Sequence, residues 1–144
     1  MGFDQALDIS VSAIEAQRRT MELISSNIAN IATTRTLQGG PYRRRVAVLT
    51  EKPLTFKDEL NLAEANLYDG GGVEVSEVLE DRTPFQKVYN PGSPDADPQG
   101  YVLMPNVELS TEMVDLTFSS RLYEANITAF NATKKMMQDT LQLP

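Results

Sequence analysis

The stretch Leu109–Leu141, LSTEMVDLTFSSRLYEANITAFNATKKMMQDTL, decides the fold. It holds neither glycine nor proline, the residues that break helices. Leu109, Leu116, Tyr123, Phe130 and Met137 recur every seven residues, and Met113, Ile127 and Leu141 stand four residues after members of that row. Ser120 and Lys134 interrupt the second row. A period near 3.5 marks helices that supercoil about a partner. At about 1.5 Å per residue the spacing predicts a helix roughly 50 Å long.

Outward from this stretch, the helix breakers organise the chain. Of 8 Gly and 8 Pro, all but Gly2 and Pro144 lie between Gly39 and Pro105, so residues 3–38 and 106–143 are free of both. The first arm repeats the pattern with Leu7, Ile14, Met21 and Ile28 seven apart, flanked by Val11, Ile24 and Ile31. It is expected to be helical from Phe3 to Ile31, roughly 40 Å at 1.5 Å per residue. Globular helices average about 11–12 residues, so seams this long suggest burial against other copies as well as each other. Ala6, Ala13, Ala16, Ala29, Ala125, Ala129 and Ala132 leave small flanks that permit close helix approach. The expected fold class is α+β, with the terminal helices in a coiled-coil-like hairpin and a small, mostly β, loop-rich middle. Residues 1–38 and 106–144 are expected to form a discontinuous helical domain, and 39–105 a β and loop segment.

Within the middle, Arg45–Thr50 is rich in β-branched residues, and Val73–Leu79 alternates apolar with polar after Gly70–Gly72. Phe85–Tyr89 and Tyr101–Met104 are two further strand candidates. Asn90–Gly100, with Pro91, Pro94 and Pro98, can be neither helix nor central strand. Eight acidic and no basic residues lie between Asp58 and Asp81, a pattern expected of a solvated loop around Leu60–Tyr68 that tolerates change.

Composition narrows the function. The net charge of −7 opposes binding to a phosphate backbone. With no histidine and no cysteine, the usual general base, transition-metal ligands and thiol nucleophile are all missing, so neither an enzyme nor a cofactor or metal site is expected. The opening MGFDQALDIS has no basic region or apolar run of the secretory kind. Asp95–Gly100 starts like a calcium loop, but its twelfth position is Asn106 and the flanking prolines forbid the helices of an EF-hand. Gly70–Gly72 lacks the Lys-Ser/Thr of a phosphate loop, and the Asn126-Ile-Thr128 and Asn131-Ala-Thr133 triplets fall inside the expected helix. Arg43, Arg44 and Arg45 beside Tyr42 are expected to meet an acidic surface, with the 58–81 stretch of a neighbouring copy as candidate.

At Ser25-Ser-Asn-Ile-Ala-Asn-Ile-Ala-Thr33 the chain resembles the signature of bacterial flagellar rod and hook proteins. That signature is a small or polar pair, Asn, an aliphatic residue, a small residue, Asn, and Ser or Thr three positions on. Ser26, Asn27, Ile28, Asn30 and Thr33 occupy it. Thr34-Arg-Thr36 with Gly39-Gly-Pro-Tyr-Arg-Arg44 looks like the proximal-rod branch, as do Val88–Asp97, Gly100–Val102 and Pro105–Val107. Glu112-Met113, Arg121, Tyr123–Asn126 and Met136-Met137 are similar to its C-terminal helix. The chain departs from the general family at Arg35-Thr36, where Gly is usual, and from the branch at Ser93, where His is frequent; residues 51–72 are its own.

The resemblance implies a structural subunit of the proximal rod, exported by the flagellar type III apparatus without a cleavable signal. It would assemble helically with copies of itself and other rod proteins in the periplasm-spanning basal body, transmit torque and line the export channel. No nucleic acid, small-molecule substrate, cofactor or catalytic residue is implied. The residues expected to carry assembly are the motif, Arg43–Arg45, and Leu109, Met113, Leu116, Arg121, Tyr123, Asn126, Ile127, Phe130 and Met137. The alternatives are another rod or hook subunit of the same family or, in a different class, a soluble calcium-binding or enzymatic helical module.

Overall fold

A computed structural model describes residues 3–53 and 71–142. The elements run α1 (Phe3–Ala29), β1 (Arg45–Glu51), β2 (Val73–Glu80), β3 (Gln86–Tyr89), β4 (Tyr101–Met104) and α2 (Leu109–Leu141). The fold is α+β, two long helices enclosing small antiparallel sheets in sequence. The solvated loop expected around Leu60–Tyr68 and its tolerance to change lie outside the described residues.

α1 stops at Ala29, two residues short of the expected Ile31, because its end offers the backbone competing partners. The Asn30 side chain donates to the Ser26 carbonyl at 2.8 Å, and Thr33 Oγ1 donates to Asn30 Oδ1 at 3.2 Å. The Asn30 N–H is shared between the Ser26 and Asn27 carbonyls, at 3.1 and 3.2 Å, so the last turn tightens and the chain leaves the helix axis. α2 begins after the buried Pro105 and Val107. Glu108 receives the hydroxyls of Ser110 and Thr111 at 2.9 and 3.1 Å, which ties the first turn together.

The helices pack along each other, with Asn27 of α1 opposite Glu112 of α2. The C-terminal end of one therefore meets the N-terminal end of the other, and they run antiparallel. Leu116, Tyr123, Phe130 and Met137 of the seven-residue row are half-buried, while Leu109 is exposed. The second row differs from expectation: Met113 and Leu141 point to solvent, and only Ile127 is partly covered. Glu112, Ser119, Asn126 and Thr133, three residues after members of the first row, occupy the covered side instead. The helix is rotated toward this polar row because Glu112 finds its hydrogen-bond partners there.

β1 pairs with β2 antiparallel, with a bulge between Val48 and Leu49, where Val48 faces Glu77 and Leu49 faces Val75. Both strands pack on α1. Gly72 makes this approach possible: its φ is +93°, and a Cβ there would lie 2.4 Å from Ser12 Oγ. The same hydroxyl accepts the Val73 N–H at 3.1 Å, fastening the strand to the helix. β3 and β4 form a second antiparallel pair, with the Tyr89 and Tyr101 rings edge to face at 5.3 Å. The Asp95–Gly100 turn between them is tied to the segment after α1, where Thr34 Oγ1 donates to Asp95 at 2.7 Å. Among the described residues the buried apolar side chains are few: Ala16, Ile24, Tyr42, Val102 and Val107, with Pro105.

Candidate functional site at the junction of the helices

The best-buried polar cluster forms where the end of α1, the start of β1 and the start of α2 meet. Asn27 is 1% exposed and Glu112 0%. Asn27 Nδ2 donates to the Arg45 carbonyl at 2.9 Å and to Glu112 Oε2 at 3.1 Å. Its Oδ1 accepts the Tyr42 hydroxyl and the Arg45 N–H, both at 2.9 Å. An amide has two donors and two lone pairs, so this side chain is fully used. It fastens β1 as a strand partner would.

Glu112 accepts the Arg44 Nε–H on its other oxygen, and Arg44 Nη2 donates to Asp115 Oδ2 at 3.1 Å. A carboxylate wholly removed from water costs several kcal/mol unless it is paired and hydrogen-bonded, and here it is both. Burial draws the Arg44 pKa down, but the hydrogen bond and charge of Glu112, with the charges of Asp115 and Asp81, outweigh this and leave it above its ordinary value.

Asn106 repeats the device one step away. Its Oδ1 accepts the Arg44 N–H at 2.9 Å, and its Nδ2 donates to the Asp81 carbonyl at 3.0 Å and to Thr83 Oγ1 at 2.8 Å. The Asp81 carboxyl is held below its ordinary value, chiefly by the Thr83 N–H at 2.9 Å; burial opposes this, and the Thr83 hydroxyl, Arg44 and Arg43 lower it further.

The expected site residues divide in space. Asn27, Arg44 and Arg45 come together in the junction, with Ser26 beside the Tyr42 hydroxyl at 3.5 Å. Ile28 is half-buried, and Asn30 and Thr33 shape the exit from α1. Arg43 stacks over Phe85, 4.3 Å from the ring centroid, and Arg45 lies 5.8 Å from that of Tyr42. Leu109, Met113 and Arg121 face solvent, away from the contact between the helices, and Leu116, Tyr123, Asn126, Ile127, Phe130 and Met137 lie half-buried along α2. The acidic groups that Arg44 meets are Glu112 and Asp115 of its own chain, where a neighbouring copy was expected.

Sequence reasoning passed over Glu112, Asp115, Asn106 and Tyr42 as members of one site. Their signal was a carboxylate placed three residues after Leu109, on a seam position where an apolar residue is usual. Chemically, this arrangement holds and aligns. Among the described residues no group of three or more acidic side chains could hold a metal ion, and no helix is long and apolar enough to cross a membrane.

The segments this junction joins are those that known families share. The family of flagella basal body rod proteins matches residues 7–35, and the C-terminal domain of the flagellar basal body rod FlgEFG proteins matches residues 99–143. The flagellar basal-body rod protein FlgC of Bacillus subtilis is 46% identical over 143 residues, covering 96% of this chain and 95% of the relative. That of Borreliella burgdorferi is 36% identical, covering 99% and 98%, and that of Salmonella typhimurium 40% identical, covering 94% and 93%. The chain belongs to the FlgC family of flagellar basal-body rod proteins, which are structural subunits of the rod.

Proposed function

We propose that the chain is a proximal-rod protomer that assembles helically with copies of itself and other rod proteins, transmits motor torque and helps line the export channel. In this reading residues 1–38 and 106–144 form the tube-lining helical domain, paired as a coiled coil, and 39–105 pack outside it. The chain reaches the rod through the flagellar type III apparatus and performs no catalysis.

One observation carries the reading. α2 bears a further, outer row at alternating spacings of four and three, Phe118, Leu122, Ala125, Ala129, Ala132 and Met136, which α1 does not cover. Phe118 is 63% exposed and Met136 54%. A stripe of heptad spacing left in water is an interface awaiting another helix, and the alanines let that helix come close.

The test is complementation of a strain lacking its own proximal-rod subunit. Phe118→Asp should leave the chain expressed and exported while removing it from isolated basal bodies and abolishing swimming. Normal swimming by this variant would refute the reading.

A further inference from the structure

We propose that the outer row of α2 is covered by α1 of a second copy, antiparallel to it, in a register that sets Ala129 of one chain opposite Ile14 of the other. The proposal rests on the reading of the chain as a rod subunit and names the occupant of that stripe.

α1 carries a row of its own at the same alternating spacings, Leu7, Val11, Ile14, Arg18, Met21 and Ser25. At about 3.6 residues per turn this row runs on the side of α1 opposite the buried Ala16. Val11, Arg18 and Ser25 are exposed, while Leu7, Ile14 and Met21 are half-buried. Arg18 is the sole charged member of either row, and Glu22 of its own helix pairs with it at 3.1 Å. The hairpin of one chain does not join the two rows, since Phe118 and Met136 stay in water with α1 packed alongside α2.

Side-chain size selects the partner. In a coiled coil the facing rows meet layer by layer. With Ile14 opposite Ala129, the antiparallel count sets Val11 on Ala132, Arg18 on Ala125 and Ser25 on Phe118. A small residue faces a larger one in each of these four layers, which lets the seam reach interior packing density. The stem of Arg18 covers its alanine while the charged head keeps to the edge. Met21 on Leu122 and Leu7 on Met136 add two apolar pairs, and the seam extends about 27 Å.

A second α2 fits the stripe worse. In register it sets Phe118 on Phe118 and each alanine on its own copy, and a shift of one heptad still leaves Ala125 on Ala132. Orientation agrees as well. The helices are antiparallel within each chain, so copies that point the same way along a wall bring α1 of one to α2 of another antiparallel. The two rows are different surfaces of the chain, so the contact is heterologous and propagates from copy to copy.

The chain has no cysteine, so introduced thiols are the sole thiols it carries. Val11→Cys/Ala132→Cys, assembled in cells and oxidised in isolated basal bodies, should give disulfide-linked multimers of this chain, since the bond forms only between facing positions. Either single variant should give none, and neither should Val11→Cys/Ala125→Cys, whose second thiol is displaced by about 10 Å along α2. Ala129→Ile should lower incorporation at least tenfold, and Ile14→Ala added to it should restore most of the loss by exchanging the large and small members of one layer. Rods that contain the Val11→Cys/Ala132→Cys chain without multimers would overturn the proposal. Equal multimers from the displaced pair would do the same, as would wild-type incorporation of Ala129→Ile or no recovery in the exchanged variant. Recovery of the wild-type chain in the same basal bodies scores the rod reading separately.

Discussion

Asn27 and Glu112, 85 positions apart in the chain, share a hydrogen bond of 3.1 Å between side chains that are both out of water. Each is bound on its remaining side by the segment between them, Asn27 by Tyr42 and Arg45, Glu112 by Arg44. The rod-protein motif at the end of α1 thus reads as a fastening: its first asparagine fixes the start of β1 and the start of α2 in one stroke. In the proposed reading of the chain as a torque-transmitting rod subunit, such a joint would keep the β segment from swivelling on the helices.

Removing Arg44 should cost more than removing both members of its ion pair. Arg44→Ala leaves Glu112 buried and uncompensated, a loss of about 3–5 kcal/mol. Arg44→Met combined with Glu112→Met should recover much of that loss, since an apolar pair of similar volume avoids desolvating a charge. Urea unfolding followed by circular dichroism checks this. Equal loss in the single and double variants would assign Arg44 a role other than neutralising Glu112.

Asn27→Asp should damage the junction at least as much as Asn27→Ala. The aspartate has the right shape, but it replaces the donor on Glu112 and on the Arg45 carbonyl with a second acceptor. An unsatisfied or repelling buried group costs about 1–3 kcal/mol, more when charged. The same unfolding measurement, repeated at lower pH where the new carboxyl takes a proton, should show partial recovery for Asn27→Asp and none for Asn27→Ala.

Much of this architecture was legible in the chain, and its gaps have physical causes. The four strands fall within one residue of their expected bounds and α1 within two, while α2 starts three residues inside the breaker-free arm 106–143, because Gly and Pro act locally on the backbone. The junction was hidden because two rows flank Leu116 and Tyr123, one at four residues and one at three. Counting apolar residues favours the row of Met113 and Ile127. The polar row wins through Glu112, whose partners lie far away in sequence, and no local pattern reports them. Asn30 ended α1 early for the same reason that made its motif recognisable: a short polar side chain competing for backbone groups.

Gly72→Ala should detach β2 from α1. The new methyl group meets the Ser12 hydroxyl at 2.4 Å, and the φ of +93° strains any side chain. The expected cost is about 1–3 kcal/mol. Ser12→Ala, added to it, should relieve the clash but not the backbone strain, giving partial recovery in the same assay. Complete recovery would mean that the backbone conformation carries no cost.

Asp81 should confer a pH dependence at the acid end. Its folded pKa is lowered, so the stability it brings is fully present above the unfolded value near 3.9. That stability disappears as pH falls through the lowered folded value. The gap in stability between wild type and Asp81→Asn should be constant near neutrality and close only below the ordinary carboxylate range. A gap that closes between pH 5 and 7 would contradict the assignment.

The central claim is that the outer stripe of α2 is completed by neighbouring subunits. Met136→Cys places one thiol on that stripe in a chain with no other cysteine, and its reaction with a maleimide can be timed in the free chain and in isolated basal bodies. Rapid labelling of the free chain and at least tenfold protection in the rod is the expected result. Equal labelling rates in the two states would mean that the stripe stays wet after assembly, and the account of α2 as a shared seam would be wrong.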